Sequence, residues 1–273
     1  MLTFETQNMR CFINVSCFLT VLSLLPLPML PSAAGPERDV LFQISTIDSL
    51  MAGLYDGWMS LGQLRKHGDF GLGTFDRLDG EMVVVDGTVY QITSDGVARK
   101  PAAAVTTPFA AVTVFDKDVT ATIPGEMTLS SLRDYLDGML PSKNLFYAIR
   151  IDGAFTRVRT RSVPIQSKPY PRLVDVTARQ PVFELADVKG SIVAFRCPYF
   201  VKGVNVPGYH MHFVTADRRR GGHLLDCSVK SGVIALDTTA EFVLSLPKDE
   251  SFYHADFEAD SQDNLEKVEQ GKR

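Results

Sequence analysis

Asp86-Gly87 stands between two runs of β-prone residues, 81–85 and 88–92, and that arrangement admits little besides a tight antiparallel hairpin. The two central residues of such a turn need positive φ, which Gly supplies without steric cost and Asp tolerates. The same grammar repeats along the chain. Residues 71–75 and two runs within 108–123 read as strands, and Asp152-Gly153 divides 146–151 from 154–163 as a second hairpin. Further strands are predicted at 190–195, 208–216, 223–229, 233–236 and 241–246.

Helices are few. After a strand at 40–44, Ser45 or Thr46 caps a segment in which Leu50, Met51, Leu54 and Tyr55 recur at helical spacing, and a second amphipathic stretch ends near His67. Leu129, Leu132, Leu136 and Met139 mark a helix over 127–140, stopped by Pro141. This pattern predicts an α+β protein, mostly mixed β-sheet with a few helices. A length of 273 residues at 45% hydrophobic composition suffices for two domains. A proline-rich connection, Pro164, Pro169, Pro171 and Pro181, places the boundary between an N-terminal α+β domain, 35–180, and a β-rich domain, 181–273. A faint parallel between 183–196 and 70–85 hints at a repeated unit. Residues 247–273 are polar and acidic and read as a solvated end.

Residues 1–34 differ from the rest. Arg10 precedes an uncharged apolar run over 18–25, and Ser32-Ala33-Ala34 supplies the small residues of a cleavage site, so the segment is read as a secretory signal and the protein as exported. Cys11, Cys17 and the sequon Asn14-Val15-Ser16 leave with it. Cys197 and Cys227 remain, either as one bridge or as two small buried hydrophobes. A net charge of −4 offers no footprint for nucleic acid, and no membrane partner is expected once the signal is gone. The expected partner is a small molecule, and a homodimer is compatible with the sequence.

Three of the five histidines fall within fourteen residues: His210, His212 and His223. Residues i and i+2 of a strand share a face, so His210 and His212 point the same way. Asp217, three arginines and two glycines form the reversal that follows. A symmetric reversal is centred between Asp217 and Arg218, which sets His223 opposite His212, where Cβ atoms stand about 4.5–5.5 Å apart. Three convergent imidazoles with a fourth position open are a catalytic zinc pattern. The competing reading is three histidines satisfied by backbone groups. Residue pattern alone stops at a metal enzyme or a metal carrier.

Several blocks of the chain resemble the acetolactate decarboxylase family. They are Gln43-Ile44-Ser45-Thr46, Leu54-Tyr55-Asp56-Gly57, Gly68-Asp69-Phe70-Gly71-Leu72-Gly73-Thr74-Phe75 and Leu78-Asp79-Gly80-Glu81. Downstream lie Ser142-Lys143-Asn144-Leu145-Phe146-Tyr147, Thr160-Arg161, and Gly208-Tyr209-His210-Met211-His212-Phe213 with Gly221-Gly222-His223. The resemblance implies a two-domain, mixed β-sheet metalloenzyme that converts 2-acetolactate, a 2-hydroxy-3-keto acid, to acetoin and carbon dioxide. It implies zinc on His210, His212 and His223, an active-site glutamate at Glu81 and a substrate-facing arginine at Arg161. It also implies a tail glutamate folded back over the metal, for which Glu269 is the better positional match and Glu266 the rival. Taken alone, Glu81 reads equally as an exposed strand residue, and Arg161 as a surface arginine beside Arg157 and Arg159. The alternatives to a decarboxylase are a secreted zinc metallohydrolase, with Glu81 as base, and a non-catalytic metal-binding protein.

Overall fold

The computed structural model describes residues 38–257 and 262–271, so the expected signal segment lies outside the described residues. In chain order the strands begin with β1 (Val40–Ile44), β2 (Met59–Ser60), β3 (Phe70–Thr74), β4 (Glu81–Val85), β5 (Thr88–Ile92), β6 (Ala98–Arg99), β7 (Thr106–Thr107) and β8 (Ala110–Thr113). They continue with β9 (Val119–Thr122), β10 (Met127–Thr128), β11 (Phe146–Arg161), β12 (Val182–Cys197), β13 (Gly208–Thr215), β14 (Gly221–Thr239) and β15 (Glu241–Ser245). The helices are α1 (Ile47–Met51), α2 (Leu61–Leu64), α3 (Leu129–Met139), α4 (Leu173–Thr177), α5 (Glu250–Tyr253) and α6 (Gln262–Gln270). None of the described helices is long and apolar enough to cross a membrane.

A seven-stranded sheet runs β15-β1-β8-β3-β4-β5-β6, antiparallel except for the β1–β15 pair. Both its faces are covered, which explains why β1 and β4 read as unbroken apolar runs rather than alternating ones. Val83 and Val85 pack on one side with Phe146, Val193 and Phe195 of the other sheet. Met82 and Val84 pack on the opposite side with Leu61 and Leu64 of α2. In the second sheet β14 pairs β11, β11 pairs β12, β12 pairs β13 and β13 returns to β14, so four strands close on themselves. Phe155, Val158, Met211, Phe213 and Val229 fill that closure together with Leu132 and Leu136 of α3.

The Asp86-Gly87 hairpin forms as expected, with Val85 opposite Thr88. Asp152-Gly153 makes no turn. β11 runs straight through it, with Gly153 opposite Gly190 on one side and Gly232 on the other. A Cβ on Gly153 would lie 2.5 Å from the Ser231 carbonyl, so the glycine serves close strand approach rather than reversal. For a related reason 223–229 and 233–236 are one strand, β14, with irregularities in its pairing to β11. The repeated-unit reading also fails, because 70–85 forms a hairpin while 183–196 lies within the single strand β12.

The chain does not part at residue 181. Strands β9, β10 and β11 from before that point sit in one sheet with β12, β13 and β14 from after it, and β15 returns to β1. Residues 35–273 form one compact unit, and the proline-rich connection is an excursion between paired strands, since Arg161 lies opposite Val182. The tail departs from the solvated reading too: Leu265 and Val268 of α6 are buried against Ile47, Leu50 and Leu173.

The tightest local constraint lies at the start of β14. Gly222 adopts φ +139°, and a Cβ there would meet the Arg161 carbonyl at 2.3 Å. Gly222→Ala is therefore expected to lower unfolding free energy by about 2–3 kcal/mol in urea titration, with the denaturant slope unchanged.

Candidate metal centre

β13 and β14 form the expected hairpin, with His212 directly opposite His223. Inside the reversal, Thr215 Oγ1 donates to Asp217 at 2.6 Å and Arg218 takes a left-handed φ of 58°. The ring centroids of His210, His212 and His223 stand 5.0–5.2 Å apart, a nearly equilateral triangle. One nitrogen from each falls within 4.8 Å of the others. All three side chains are buried, and burial pulls the pKa of His210 down to about 3 and those of His212 and His223 well below the usual value, with Arg161 adding to the effect. They are neutral imidazoles at any ordinary pH.

Neutral rings hold a metal only if a lone pair faces the centre. His212 Nδ1–H donates to the Met82 carbonyl at 2.7 Å, which fixes the tautomer and leaves Nε2 unprotonated, buried and without a partner. His210 Nδ1 and Glu269 Oε2 are likewise buried and unpartnered. Unsatisfied acceptors at such depth cost free energy unless a cation meets them, so the donor set fits a divalent metal. His223 Nε2 hydrogen-bonds the Glu269 carbonyl at 3.0 Å, so metal uptake at that nitrogen competes with the tail.

The remaining expected residues converge here from distant elements. Glu81 opens β4 and is 6% exposed; Arg161 closes β11 beside His223 and is 4% exposed. Neither is the surface residue that the bland reading allowed. Arg161 Nη1 donates to Glu81 Oε1 at 3.2 Å and Nη2 to the Val268 carbonyl at 3.2 Å. Glu81 Oε2 stands 3.5 Å from His212 Nε2, and Glu269 Oε2 stands 3.8 Å from Nε2 of both His210 and His223. Glu266 is exposed and faces a neighbouring cavity, so Glu269 is the tail glutamate at this centre.

Burial raises the Glu81 pKa to about 7 against the pull of Arg161, and the Glu269 charge adds to the rise. Glu269 rises to about 7 for the same first reason. Two carboxyl groups that titrate near neutrality therefore flank three neutral imidazoles and one permanent cation. Ile47, Leu50, Phe109, Val163, Leu173 and Val268 line the rest of a cavity of about 30 Å³, room for roughly one water. That apolar wall was not anticipated; its only sequence signal was helical spacing around Leu50. The Met82 carbonyl left no signal, because any residue provides one. Cys197 and Cys227 are both free and buried, so no bridge forms.

The sequence pattern of the Alpha-acetolactate decarboxylase family matches residues 41–259. The alpha-acetolactate decarboxylase of Methanosarcina mazei is 50% identical over 241 residues, 88% of this chain and 84% of that protein. The one from Methylococcus capsulatus is 44% identical over 235 residues, 86% of this chain and 90% of that protein. The crystal structure of the alpha-acetolactate decarboxylase of Bacillus subtilis strain 168 superposes with a TM-score of 0.82 at 38% identity, covering 85% of this chain and 99% of that one. With sequence, fold and a matched span of this extent in agreement, the chain belongs to the alpha-acetolactate decarboxylase family.

Proposed function

We propose that the chain decarboxylates 2-acetolactate to acetoin and carbon dioxide at the three-histidine centre, with zinc as its metal. The observation that carries this reading is the buried Arg161 guanidinium beside three neutral histidines and two carboxyl groups whose pKa values lie near 7. A metal carrier needs no fixed anion clamp, and a hydrolase needs no cation reserved for a carboxylate.

The substrate carries a carboxylate, a tertiary hydroxyl and a ketone on adjacent carbons. Arg161 holds the carboxylate; its buried Nε has no partner, and Nη1 and Nη2 are already aimed into the site by Glu81 and Val268. As the carboxylate leaves, the bonding pair stays on the carbinol carbon and is shared with the neighbouring ketone oxygen. Zinc on the histidines would supply a Lewis acid toward the ketone and hydroxyl oxygens. A proton must then reach the carbinol carbon to give acetoin. Glu81, held between Arg161 and His212, is the donor we assign, with Glu269 on the opposite side as the group that shapes its charge. Residues such as Ile47, Leu50 and Val268 exclude water, which keeps the electrostatic contrast high.

Three outcomes are expected. Dialysis against a chelator should abolish acetoin formation from racemic 2-acetolactate and zinc should restore it, while His212→Ala should retain at least about tenfold less zinc by elemental analysis, because a tridentate site becomes bidentate. Stoichiometric zinc in that variant would remove His212 from the ligand set. Arg161→Ala should weaken substrate binding by about 2–5 kcal/mol, whereas Glu81→Gln, which keeps the shape, should lower turnover by about 10²–10⁴ with little change in KM. Normal turnover in Glu81→Gln beside an inactive Glu269→Gln would move the proton donor to the tail. Residues 1–34 are assigned as a cleaved export signal, so N-terminal sequencing of secreted material should begin at or near Gly35.

A further inference from the structure

Far along β14 from His223, the strand carries a second group of unsatisfied oxygens. Asp237 is wholly buried; its Oδ2 accepts from the Asp116 amide at 3.1 Å, and its Oδ1 has no partner. Thr239, two residues on and therefore on the same face, is also wholly buried with an unpartnered Oγ1. Three more aspartates stand over them. Asp118 donates its amide to the Leu236 carbonyl at 2.8 Å and accepts from the Thr238 amide through Oδ2 at 2.8 Å. The Asp39 carbonyl accepts from the Glu241 amide at 3.1 Å, which brings the start of β1 to the same place. Asp116 pairs with Arg38, the only ion pair this group makes among the described residues.

Four carboxyl groups against one arginine is an imbalance that a fold does not hold without compensation. Burial, with the charges of Asp118, Asp39 and Asp116, pushes the Asp237 carboxyl up to about 7. We propose that Asp39, Asp116, Asp118, Asp237 and Thr239 form a second cation site that takes Ca²⁺. The donors are all oxygen, with no imidazole or thiolate among them, which selects a hard cation. Mg²⁺ demands near-octahedral geometry and keeps its waters, whereas Ca²⁺ accepts irregular sets of carboxylate and neutral oxygens. Among the described residues only the three-histidine group already has its ligand atoms within 4.8 Å, so these aspartates close on the ion as it binds. Asp116 and Asp118 lie on the connection between β8 and β9 and Asp39 precedes β1, so the loops supply that travel. The ion would tie together the start of β1, the β8–β9 connection and the end of β14.

The test uses the zinc-loaded full chain in calcium-stripped buffer, with equilibrium dialysis of radiolabelled Ca²⁺ and thermal unfolding as readouts. One Ca²⁺ per chain is expected, with a Kd on the order of 10⁻⁴–10⁻³ M, and a rise of several degrees in Tm. Asp118→Asn, at an exposed position where folding is safe, and Asp237→Asn should each weaken uptake at least tenfold, and acetoin formation by Asp118→Asn should match the parent chain. Absence of Ca²⁺ uptake at about 10 mM, uptake unchanged in both variants, or an equal Tm rise with Mg²⁺ would overturn the site.

Discussion

A guanidinium at 4% exposure cannot stand uncompensated, and the surroundings of Arg161 follow from that requirement. Its compensation comes from two distant places: the Glu81 carboxylate at the start of β4 and the Val268 carbonyl in α6. The arginine itself ends β11, which pairs with the strand that carries His223. One buried cation thus binds the seven-stranded sheet, the closed four-strand sheet and the tail helix to a common point. Removing any of the three leaves a charge with fewer partners than its depth allows.

The same depth sets the chemistry. Desolvation pushes in opposite directions on acids and bases, so it holds the histidines neutral and lifts both glutamates toward neutrality. Arg161 works against the glutamate rise and with the histidine fall. A single dry pocket therefore prepares metal ligands and a proton donor together, and the fold needs no separate device for each.

Local features of the site were legible in the sequence, and long-range ones were not. His212 opposite His223 followed from strand period and the symmetry of one reversal, because the partners lie eleven residues apart. The Asp86-Gly87 turn was read correctly for the same reason. Asp152-Gly153 carries the same two letters, yet its glycine answers to Gly190 and Gly232 on neighbouring strands, which no local window contains. The boundary at 181 failed likewise, since prolines report where pairing pauses and not which sheet the chain rejoins. The buried places of Glu81, Arg161 and Glu269 came through family resemblance; spacing gave no hint that residues 80 and 107 positions apart would touch the same guanidinium.

These separations impose an order on how the centre comes together. The His212–His223 pair closes a short loop, at an entropic cost that grows only slowly with length, and needs nothing else to bring its nitrogens close. The contacts of Arg161 with Glu81 and Val268, and of His212 with Met82, span 80, 107 and 130 residues and wait on non-local packing. During folding the chain therefore holds a metal-seeking hairpin before it holds an anion clamp or a proton donor. Metal capture and catalytic competence are separate events in the life of each molecule, and a chain whose last helix has yet to dock is a metal ligand that is not yet an enzyme.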